Sequence, residues 1–223
     1  MDYSTSKMPN ASILITRPNH DLINVYFFKW TQQVIEQANR QHIKVLDLDK
    51  DNATKQKFTS YVKKHNPKLI FMNGHGNEMC IAGYRDEVII ESGVNERLLT
   101  GKIIYIRSCN VAAKLGRACI QSGTRAFLGY LKKYSLGYTP SSAFHPLEDK
   151  VAKLFLEPSN LIPISLIKGN SVKNAYRKSQ TAMLKNFLFM LSTKATKEQR
   201  DAAPSLWRNR KYQVVLGNEN TRI

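Results

Sequence analysis

The sequence predicts an α/β protein, a three-layer α/β/α sandwich whose central sheet is mostly parallel and has about six strands. Short apolar segments alternate along the chain with longer segments in which apolar residues recur at helical spacing. The short segments are almost continuously apolar, which is typical of parallel strands that helices cover on both faces. With 223 residues, the chain is long enough for one domain with a substantial core, and we expect one domain over 1–223.

The elements of the first half follow from the apolar spacing and from residues that begin or end helices and strands. Asp21 marks the start of the first helix, while Pro18 and Pro67 end the first strand and the second helix. Gly83 and Asp86 stand between two β-prone segments and predict a hairpin. The predicted elements are strands at 11–18, 43–49, 68–73 and 102–108, helices at 21–41 and around 58–65, a hairpin at 80–92 and a short polar helix at 95–99.

In the second half, helical spacing resumes directly after Cys109. Ala112, Leu115 and Cys119 share one helical face, and Gly123 stands where such a helix would end. The remaining predicted elements are a strand at 125–131, a polar loop at 132–146, a helix bearing 147–155, a proline-containing stretch at 158–163, a long helix over 172–187 that Ser171 caps, and a strand at 212–217.

The formal net charge is +17, from 34 Lys and Arg against 17 Asp and Glu. Such a charge favours anionic partners, namely nucleic acid, an acidic protein or anionic lipid. The basic residues are spread along the chain, which is typical of a solvated basic surface, and no nucleic-acid-binding motif accompanies them. The charge therefore leaves nucleic acid open as a partner, although no specific motif points to it.

Composition also bounds the compartment. No apolar run approaches the ~18 residues that span a bilayer, and the N-terminus carries no visible secretory signal. We therefore expect a cytoplasmic protein that does not bind a membrane. Its three cysteines are an odd set in a reducing compartment, so disulfides are not expected.

Two predicted strands end beside residues that are able to perform nucleophilic catalysis. The run LIFMN leads into Gly74 and His75, and the run IIYIRS leads into Cys109. Ligands bind at the carboxyl ends of parallel strands, and neighbouring strands lie about 5 Å apart. A nearby imidazole, or the N-terminus of the helix predicted after Cys109, activates a thiol for attack. We therefore expect His75 and Cys109 to form a catalytic pair.

Attack on an amide also needs hydrogen-bond donors for the developing oxyanion. Gly76 follows His75 directly, and its amide approaches a substrate without interference from a Cβ atom. The backbone N–H of Cys109 is the second candidate donor. A zinc site formed by His75, Cys80 and Cys109 is an alternative that the sequence does not favour, because the spacing fits no paired-ligand motif and no fourth ligand is apparent.

These segments resemble the caspase-like (clan CD) cysteine peptidases, and among them the CHAT-domain branch. In that family an apolar strand leads into a His-Gly pair, and the next sheet strand ends in a small residue followed by the nucleophilic Cys. LIFMNGHG, IIYIRSCN and VAAKLGRACIQSGTRAFLGY carry this resemblance, and LIKGNSVKNAYRKSQ resembles a further CHAT-like turn and helix.

The resemblance implies a single caspase-like peptidase domain over 1–223 that cleaves a protein substrate through an acyl-enzyme intermediate. It implies His75 as general base and acid, Cys109 as nucleophile and Gly76 as oxyanion donor, with no cofactor and no metal. Cys80 and Cys119 match no catalytic position. Bacterial members often serve in antiviral defence or regulated-death systems, which implies a dedicated protein substrate and a regulatory protein partner or activator.

Arg107 is the predicted determinant of specificity. It stands two residues before Cys109, so strand alternation places both side chains on the same side. Related families carry an acidic residue at this position when they accept a basic P1 residue, and a guanidinium matches a carboxylate bidentately. We therefore expect an acidic P1 residue. The alternative is an arginine that reaches solvent or pairs with a structural carboxylate.

Two other functions are compatible with the sequence. In the first, the chain is a catalytically silent caspase-like module that binds a partner. In the second, it is a basic α/β protein that binds nucleic acid through its charge. Fast alkylation of Cys109 distinguishes an active thiol from a silent one, and a steep salt dependence of affinity identifies nucleic-acid binding.

Overall fold

The computed structural model describes residues 11–223, in which strands and helices alternate through most of the chain. The strands are β1 Ser12–Arg17, β2 Lys44–Asp49, β3 Leu69–Asn73, β4 Cys80–Ala82, β5 Val88–Glu91, β6 Ile103–Arg107, β7 Ala126–Tyr130 and β8 Gln213–Gly217. The α-helices are α1 Leu22–Arg40, α2 Lys55–His65, α3 Leu115–Gln121, α4 Lys150–Ile167, α5 Val172–Met190 and α6 Lys197–Tyr212. Short 3₁₀ helices lie at Lys50–Asn52, Tyr84–Asp86, Glu96–Leu99 and Pro140–Ser142.

The central sheet has six strands in the order β2-β1-β3-β6-β7-β8. The first five are parallel, and β8 runs antiparallel to β7. The predicted hairpin forms a separate antiparallel ribbon of β4 and β5, inserted between β3 and β6, which are neighbours in the sheet. The structure confirms the predicted α/β class, with a mostly parallel six-stranded sheet flanked by helices.

Two hydrophobic clusters cover the two faces of the sheet. Successive β3 residues alternate between them: Leu69 and Phe71 belong to one cluster, and Ile70 and Met72 to the other. Helices α1, α4, α5 and α6 supply buried residues to the first cluster, while α2 and α3 supply them to the second. Over residues 11–223, no helix is both long and apolar enough to cross a membrane.

Helix α3 begins at Leu115, later than the prediction of a helix directly after Cys109. Asn110 has a left-handed φ of 57°, which interrupts any right-handed helical run, and asparagine tolerates this conformation better than most residues. Its N–H donates to the carbonyl of Lys132, and the N–H of Ala112 donates to that of Tyr130. The segment after Cys109 is therefore tied to β7 and the loop that follows it.

Helix α4 continues through the proline-containing stretch, where the sequence predicts an interruption. Pro158 has no N–H to donate to the carbonyl of Leu154, which lies four residues earlier. The side-chain Nδ2 of Asn186, on α5, donates to that carbonyl at 2.8 Å. A side chain on a neighbouring helix thus replaces the missing backbone hydrogen bond.

Helix α6 has no counterpart among the predicted elements, although its start carries a sequence signal. Thr196 and Gln199 form a capping box, in which each side chain bonds the other residue's backbone. Pro204 lies within the helix. The pattern Thr-x-x-Gln was available in the sequence and marks the beginning of the helix.

Candidate active site

A cavity of about 470 Å³ lies at the carboxyl ends of the two neighbouring strands β3 and β6. The register places Asn73 opposite Arg107, so His75 and Cys109 each follow that matched pair by two residues. Both residues line the cavity, as the strand-end argument predicts. The remaining lining residues are Ile23, Phe27, Gly74, Ser108, Lys133, Tyr134, Ser135 and Leu136.

Gly74 permits the turn that brings His75 to the cavity. It has a φ of +152°, and a Cβ atom at this position would lie 2.2 Å from the carbonyl oxygen of Ala82. Such a separation is too short for any side chain, so the close approach between the end of β3 and the β4–β5 ribbon requires glycine.

A carboxylate holds the imidazole of His75. Its Nε2 lies 2.8 Å from Oδ2 of Asp21, and the side chain is 48% exposed. Asp21 caps α1, where its Oδ1 accepts from the Asn24 backbone N–H at 2.9 Å. Burial acts to raise the pKa of Asp21, but hydrogen bonds from Asn24 and His75 outweigh it and hold the pKa below its ordinary value.

This pairing fixes the tautomer of His75. A neutral imidazole that donates from Nε2 to a carboxylate keeps its lone pair on Nδ1. Nδ1 is then the nitrogen that acts as base. Sequence reasoning used Asp21 only as the start of a helix, although its position after β1 puts it at the same edge of the sheet as His75.

The thiol of Cys109 is directed towards the loop that follows β7. Its Sγ donates to the carbonyl oxygen of Tyr134 at 3.6 Å, a contact that requires the protonated thiol. Burial raises the pKa of Cys109, and the nearby Lys133 cation opposes this only in part. Within residues 11–223, no hydrogen bond joins Cys109 to His75. Because α3 begins at Leu115, a helix N-terminus does not lie directly behind the thiol as expected.

Gly76 is packed tightly beside the residue that precedes the nucleophile. It forms an isolated antiparallel bridge with Ile81, in which the flanking residues make the hydrogen bonds and the N–H of Gly76 takes no part. A Cβ atom here would lie 2.6 Å from Oγ of Ser108 and 2.7 Å from the carbonyl of Cys80. Gly76 is not itself among the residues that line the cavity, and its role as oxyanion donor stays a prediction.

Arg107 does not line the cavity. It is completely buried, and its Nε donates to Oδ1 of Asn73 at 2.9 Å. Nη1 and Nη2 donate to Asn160 Oδ1 at 3.0 Å and to Thr31 Oγ1 at 2.9 Å. The guanidinium carbon lies 4.6 Å from the ring centre of Phe27, which itself lines the cavity. Its burial and its neutral partners do not support the prediction that Arg107 binds an acidic P1 residue, because these partners engage its donors outside the cavity lining.

A second cluster lies beside His75, formed with His20 and Asp86. One ligand atom from each residue lies within 4.8 Å of the other two, which makes this a candidate metal-binding group. It differs from the set of His75, Cys80 and Cys109 that the sequence brought into consideration. The sequence offered no signal for it, because the three residues come from three separate loops.

No family model and no curated protein matches the chain. Among solved structures, the chain is similar to the complex of the Porphyromonas gingivalis RgpB pro- and mature domains, with a TM-score of 0.56 and 10% sequence identity. The similarity covers 96% of this chain and 48% of that chain, so this chain spans about half the length of its structural relative. At this identity the similarity concerns the fold, and it agrees with the caspase-like type.

Proposed function

We propose that the protein is a cysteine endopeptidase in which Cys109 is the nucleophile and His75 is the general base and acid. The observation that carries this proposal is that both residues line one cavity at the carboxyl ends of neighbouring parallel strands. The carboxylate of Asp21, 2.8 Å from Nε2 of His75, supports it, because this contact leaves Nδ1 as the basic nitrogen.

The proposed reaction follows from these roles. Nδ1 of His75 takes the thiol proton, and Sγ of Cys109 attacks the carbonyl carbon of the scissile amide. The N–H groups of Gly76 and Cys109 stabilise the oxyanion. The imidazolium then gives its proton to the leaving amine, and a thioester remains. A water molecule, deprotonated by His75, hydrolyses the thioester and restores the thiol.

The cavity wall favours a large apolar P1 side chain over an acidic one. Ile23 and Phe27 of α1 form one part of the lining, and Tyr134 and Leu136 form another. Lys133 also lines the cavity and contributes a lysine ammonium to it, but this side chain is exposed to solvent. An apolar P1 residue gains free energy by burial against such a wall, whereas a carboxylate loses hydration there.

The contact between Cys109 and the Tyr134 carbonyl fits a resting state. A protonated thiol with a raised pKa is a poor nucleophile, so activity requires the loop at 132–149 to release Sγ towards His75. A substrate or a regulatory protein that moves this loop would release the thiol and activate the enzyme. A protein partner of this kind is part of the proposal.

Support at the level of fold comes from the similarity to RgpB, a structure related to the clan CD cysteine peptidases. A single peptidase domain over 1–223 and an affinity to the CHAT-domain branch rest on the sequence segments around His75 and Cys109. A role in bacterial antiviral defence rests on the same segments, and we propose it as the setting in which a dedicated protein substrate is cut.

The second candidate is a silent binding module of the same fold. The raised pKa of Cys109 and its hydrogen bond to Tyr134 instead of His75 favour it. A peptide chloromethyl ketone with an apolar P1 residue, which alkylates an active thiol irreversibly with loss of chloride, separates the two candidates. An active enzyme is labelled at Cys109, and labelling falls in His75→Ala, whereas a silent module is labelled in neither protein.

The direct test is a tetrapeptide library varied at P1, incubated with wild type, Cys109→Ala and His75→Ala. We expect cleavage after large apolar residues by the wild type and a loss of at least about 10³-fold in kcat/KM in both variants. Cleavage that persists in Cys109→Ala contradicts the nucleophile assignment. A preference for Asp, Glu, Lys or Arg at P1 contradicts the proposed role of the cavity wall.

A further inference from the structure

We propose that His20, His75, Asp86 and Asp21 form a Zn²⁺ site, and that zinc bound there turns the proposed active site off. The four side chains come from three loops near one edge of the fold. His20 and Asp21 lie between β1 and α1, His75 follows β3, and Asp86 lies in the turn between β4 and β5. The regulatory part rests on the proposed function, whereas the binding part does not.

Three separations between the candidate ligand atoms, of 2.8–3.4 Å, are close to those around a tetrahedral metal. His20, His75 and Asp86 each offer one atom within 4.8 Å of the other two, and Asp21 is added to this group through its contacts with both histidines. Zn²⁺ binds imidazole nitrogen and carboxylate oxygen at about 2.0–2.1 Å, which sets tetrahedral ligand atoms about 3.3–3.4 Å apart. Nε2 of His20 lies 3.4 Å from Oδ1 of Asp86 and 3.4 Å from Oδ2 of Asp21. Nε2 of His75 lies 2.8 Å from the same Asp21 oxygen, a separation that widens slightly when a metal replaces the proton between them.

His20 is the residue whose surroundings point most clearly to a ligand. Its side chain is 14% exposed, yet neither ring nitrogen has a hydrogen-bond partner within residues 11–223. The 3.4 Å contacts to Asp21 and Asp86 are at ion-pair distance without hydrogen-bond geometry. Buried polar atoms normally have hydrogen-bond partners, because an unpaired atom loses its hydration without gaining a hydrogen bond in exchange. A metal ion satisfies Nε2.

The fold holds the cluster from outside. The ring of His20 packs edge-on against Tyr84, with centroids 5.6 Å apart and planes at 80°. Arg85 and Asp86 both have left-handed φ angles, of 51° and 60°, in the tight turn that brings the Asp86 carboxylate to His20. The Asp86 side chain is 62% exposed, so an ion from solvent has direct access.

The donor set selects the metal. Two imidazoles and two carboxylates suit Zn²⁺ and similar transition metals, whereas Mg²⁺ and Ca²⁺ prefer shells made of oxygen alone. A neutral imidazole binds through its lone pair, so both histidines present nitrogen to the ion. Cys109 is not part of the set, because its Sγ contacts the carbonyl of Tyr134.

Zinc at Nε2 of His75 blocks catalysis through the tautomer. Without metal, Nε2 carries the proton that it shares with Asp21, and Nδ1 is free to accept the proton of the thiol. A metal on Nε2 uses that lone pair, so the single proton of the neutral ring sits on Nδ1. His75 then cannot accept a proton from Cys109, and the carboxylate of Asp21 is held by the metal as well.

The binding test uses Co²⁺ as a spectroscopic substitute for Zn²⁺. Titration of the wild type is expected to give one saturable site with the visible absorption of tetrahedral cobalt, which Zn²⁺ then displaces. The same spectrum in Cys109→Ala excludes sulfur as a ligand. His20→Gln and Asp86→Asn are expected to weaken binding by at least about tenfold, the lower end of typical losses around a metal site.

Two matched variants outside the cluster serve as controls. His145→Gln and Glu87→Gln remove an exposed histidine and an exposed carboxylate, and both are expected to bind Co²⁺ like the wild type. Thermal melts establish that all variants are folded. The site is overturned if the wild type has no saturable binding, if the two cluster variants bind as tightly as the controls, or if binding disappears in Cys109→Ala.

The regulatory test is the ratio of peptide cleavage rates without and with Zn²⁺ in each variant. Zinc is expected to inhibit the wild type and the controls, with recovery on chelation, and this ratio is expected to approach one in His20→Gln. Tight cobalt binding with a ratio near one in the wild type overturns the regulatory inference. If no variant cleaves peptide, the proposed function fails, and the cobalt titration still decides whether the metal site exists.

Discussion

Nε2 of His75 lies 2.8 Å from Oδ2 of Asp21, the residue that also caps the first helix of the chain. One carboxylate thus joins the start of α1 to the imidazole, and its backbone partner Asn24 keeps it ionised and in place. The geometry of the candidate base therefore depends on a residue that stands 54 positions earlier in the chain.

Asp21→Asn separates the catalytic contribution of this residue from its structural one. Asparagine caps a helix as well as aspartate, so the thermal stability is expected to change little. The amide cannot hold the Nε2–H tautomer as the carboxylate does, so we expect kcat/KM for peptide cleavage to fall by on the order of 10²-fold or more.

Asp51→Asn, an exposed residue in the 3₁₀ helix after β2, is the matched control and is expected to retain full activity. An Asp21→Asn enzyme with wild-type kcat/KM would show that the carboxylate does not orient the base. Melting curves of both variants establish that activity is compared between folded proteins.

The reactivity of Cys109 is expected to depend steeply on pH. Because burial raises the pKa of its thiol, the thiolate fraction is small at neutral pH and increases as the pH rises. We expect slow alkylation by iodoacetamide at pH 7 and a rate that still increases above pH 9. This slow alkylation of the resting state differs from the fast alkylation of Cys109 that the sequence-based interpretation assigns to an active thiol.

Lys133→Gln tests the electrostatic part of this behaviour. Removal of the ammonium withdraws a charge that favours the thiolate, so alkylation of Cys109 is expected to slow further at a fixed pH. Lys132→Gln removes a neighbouring exposed charge and is the control. Rapid alkylation of wild-type Cys109 at pH 6, followed by mass spectrometry, would refute a buried resting thiol.

Arg107 is expected to act in stability and not in specificity. Arg107→Leu leaves the buried acceptors on Asn73 and Asn160 without their donors, which costs about 2–4 kcal/mol of unfolding free energy. Urea unfolding measures this loss, with the exposed Arg85→Leu as control. The ranking of P1 residues is expected to stay unchanged. A changed ranking would indicate that Arg107 does contribute to substrate specificity.

Gly76→Ala tests the proposed oxyanion donor. The added methyl meets Oγ of Ser108 and the carbonyl of Cys80, so the backbone amide must shift. We expect a fall in kcat of about 10²-fold with a smaller change in KM, as for the loss of one oxyanion donor. Gly93→Ala is the control: its Cβ atom meets nothing within 4 Å, but its left-handed φ of 82° adds backbone strain outside the cavity lining, so thermal melts of both variants accompany the kinetics. Equal kcat values in the two variants would exclude this role.

The convergence of His75 and Cys109 could be predicted because it depends on chain order and strand direction alone. In a parallel sheet, the carboxyl ends of neighbouring strands share one edge. Two apolar runs that each end before a catalytic residue type therefore indicate a site. The inserted hairpin, with Gly83 in its turn, was also readable from its residues.

The surroundings of the pair could not be predicted in the same way. Strand alternation gives the face on which Arg107 lies, but α1 and α4 supply Thr31 and Asn160 to that face, and their positions depend on tertiary packing. Likewise, Asp21 reaches His75 only because β1 and β3 are neighbours in the sheet, which apolar spacing does not specify.

The ribbon of β4 and β5 lies outside the main sheet, yet it is hydrogen-bonded to the backbone of His75, one member of the candidate catalytic pair. The N–H of Ala82 donates to the carbonyl of His75 at 2.9 Å, while Cys109 follows β6 within the sheet. A macromolecule that pulls the ribbon outward would carry the imidazole with it and leave the sulfur behind. A partner that binds the β4–β5 ribbon would therefore change proton transfer between His75 and Cys109 without rearranging the core.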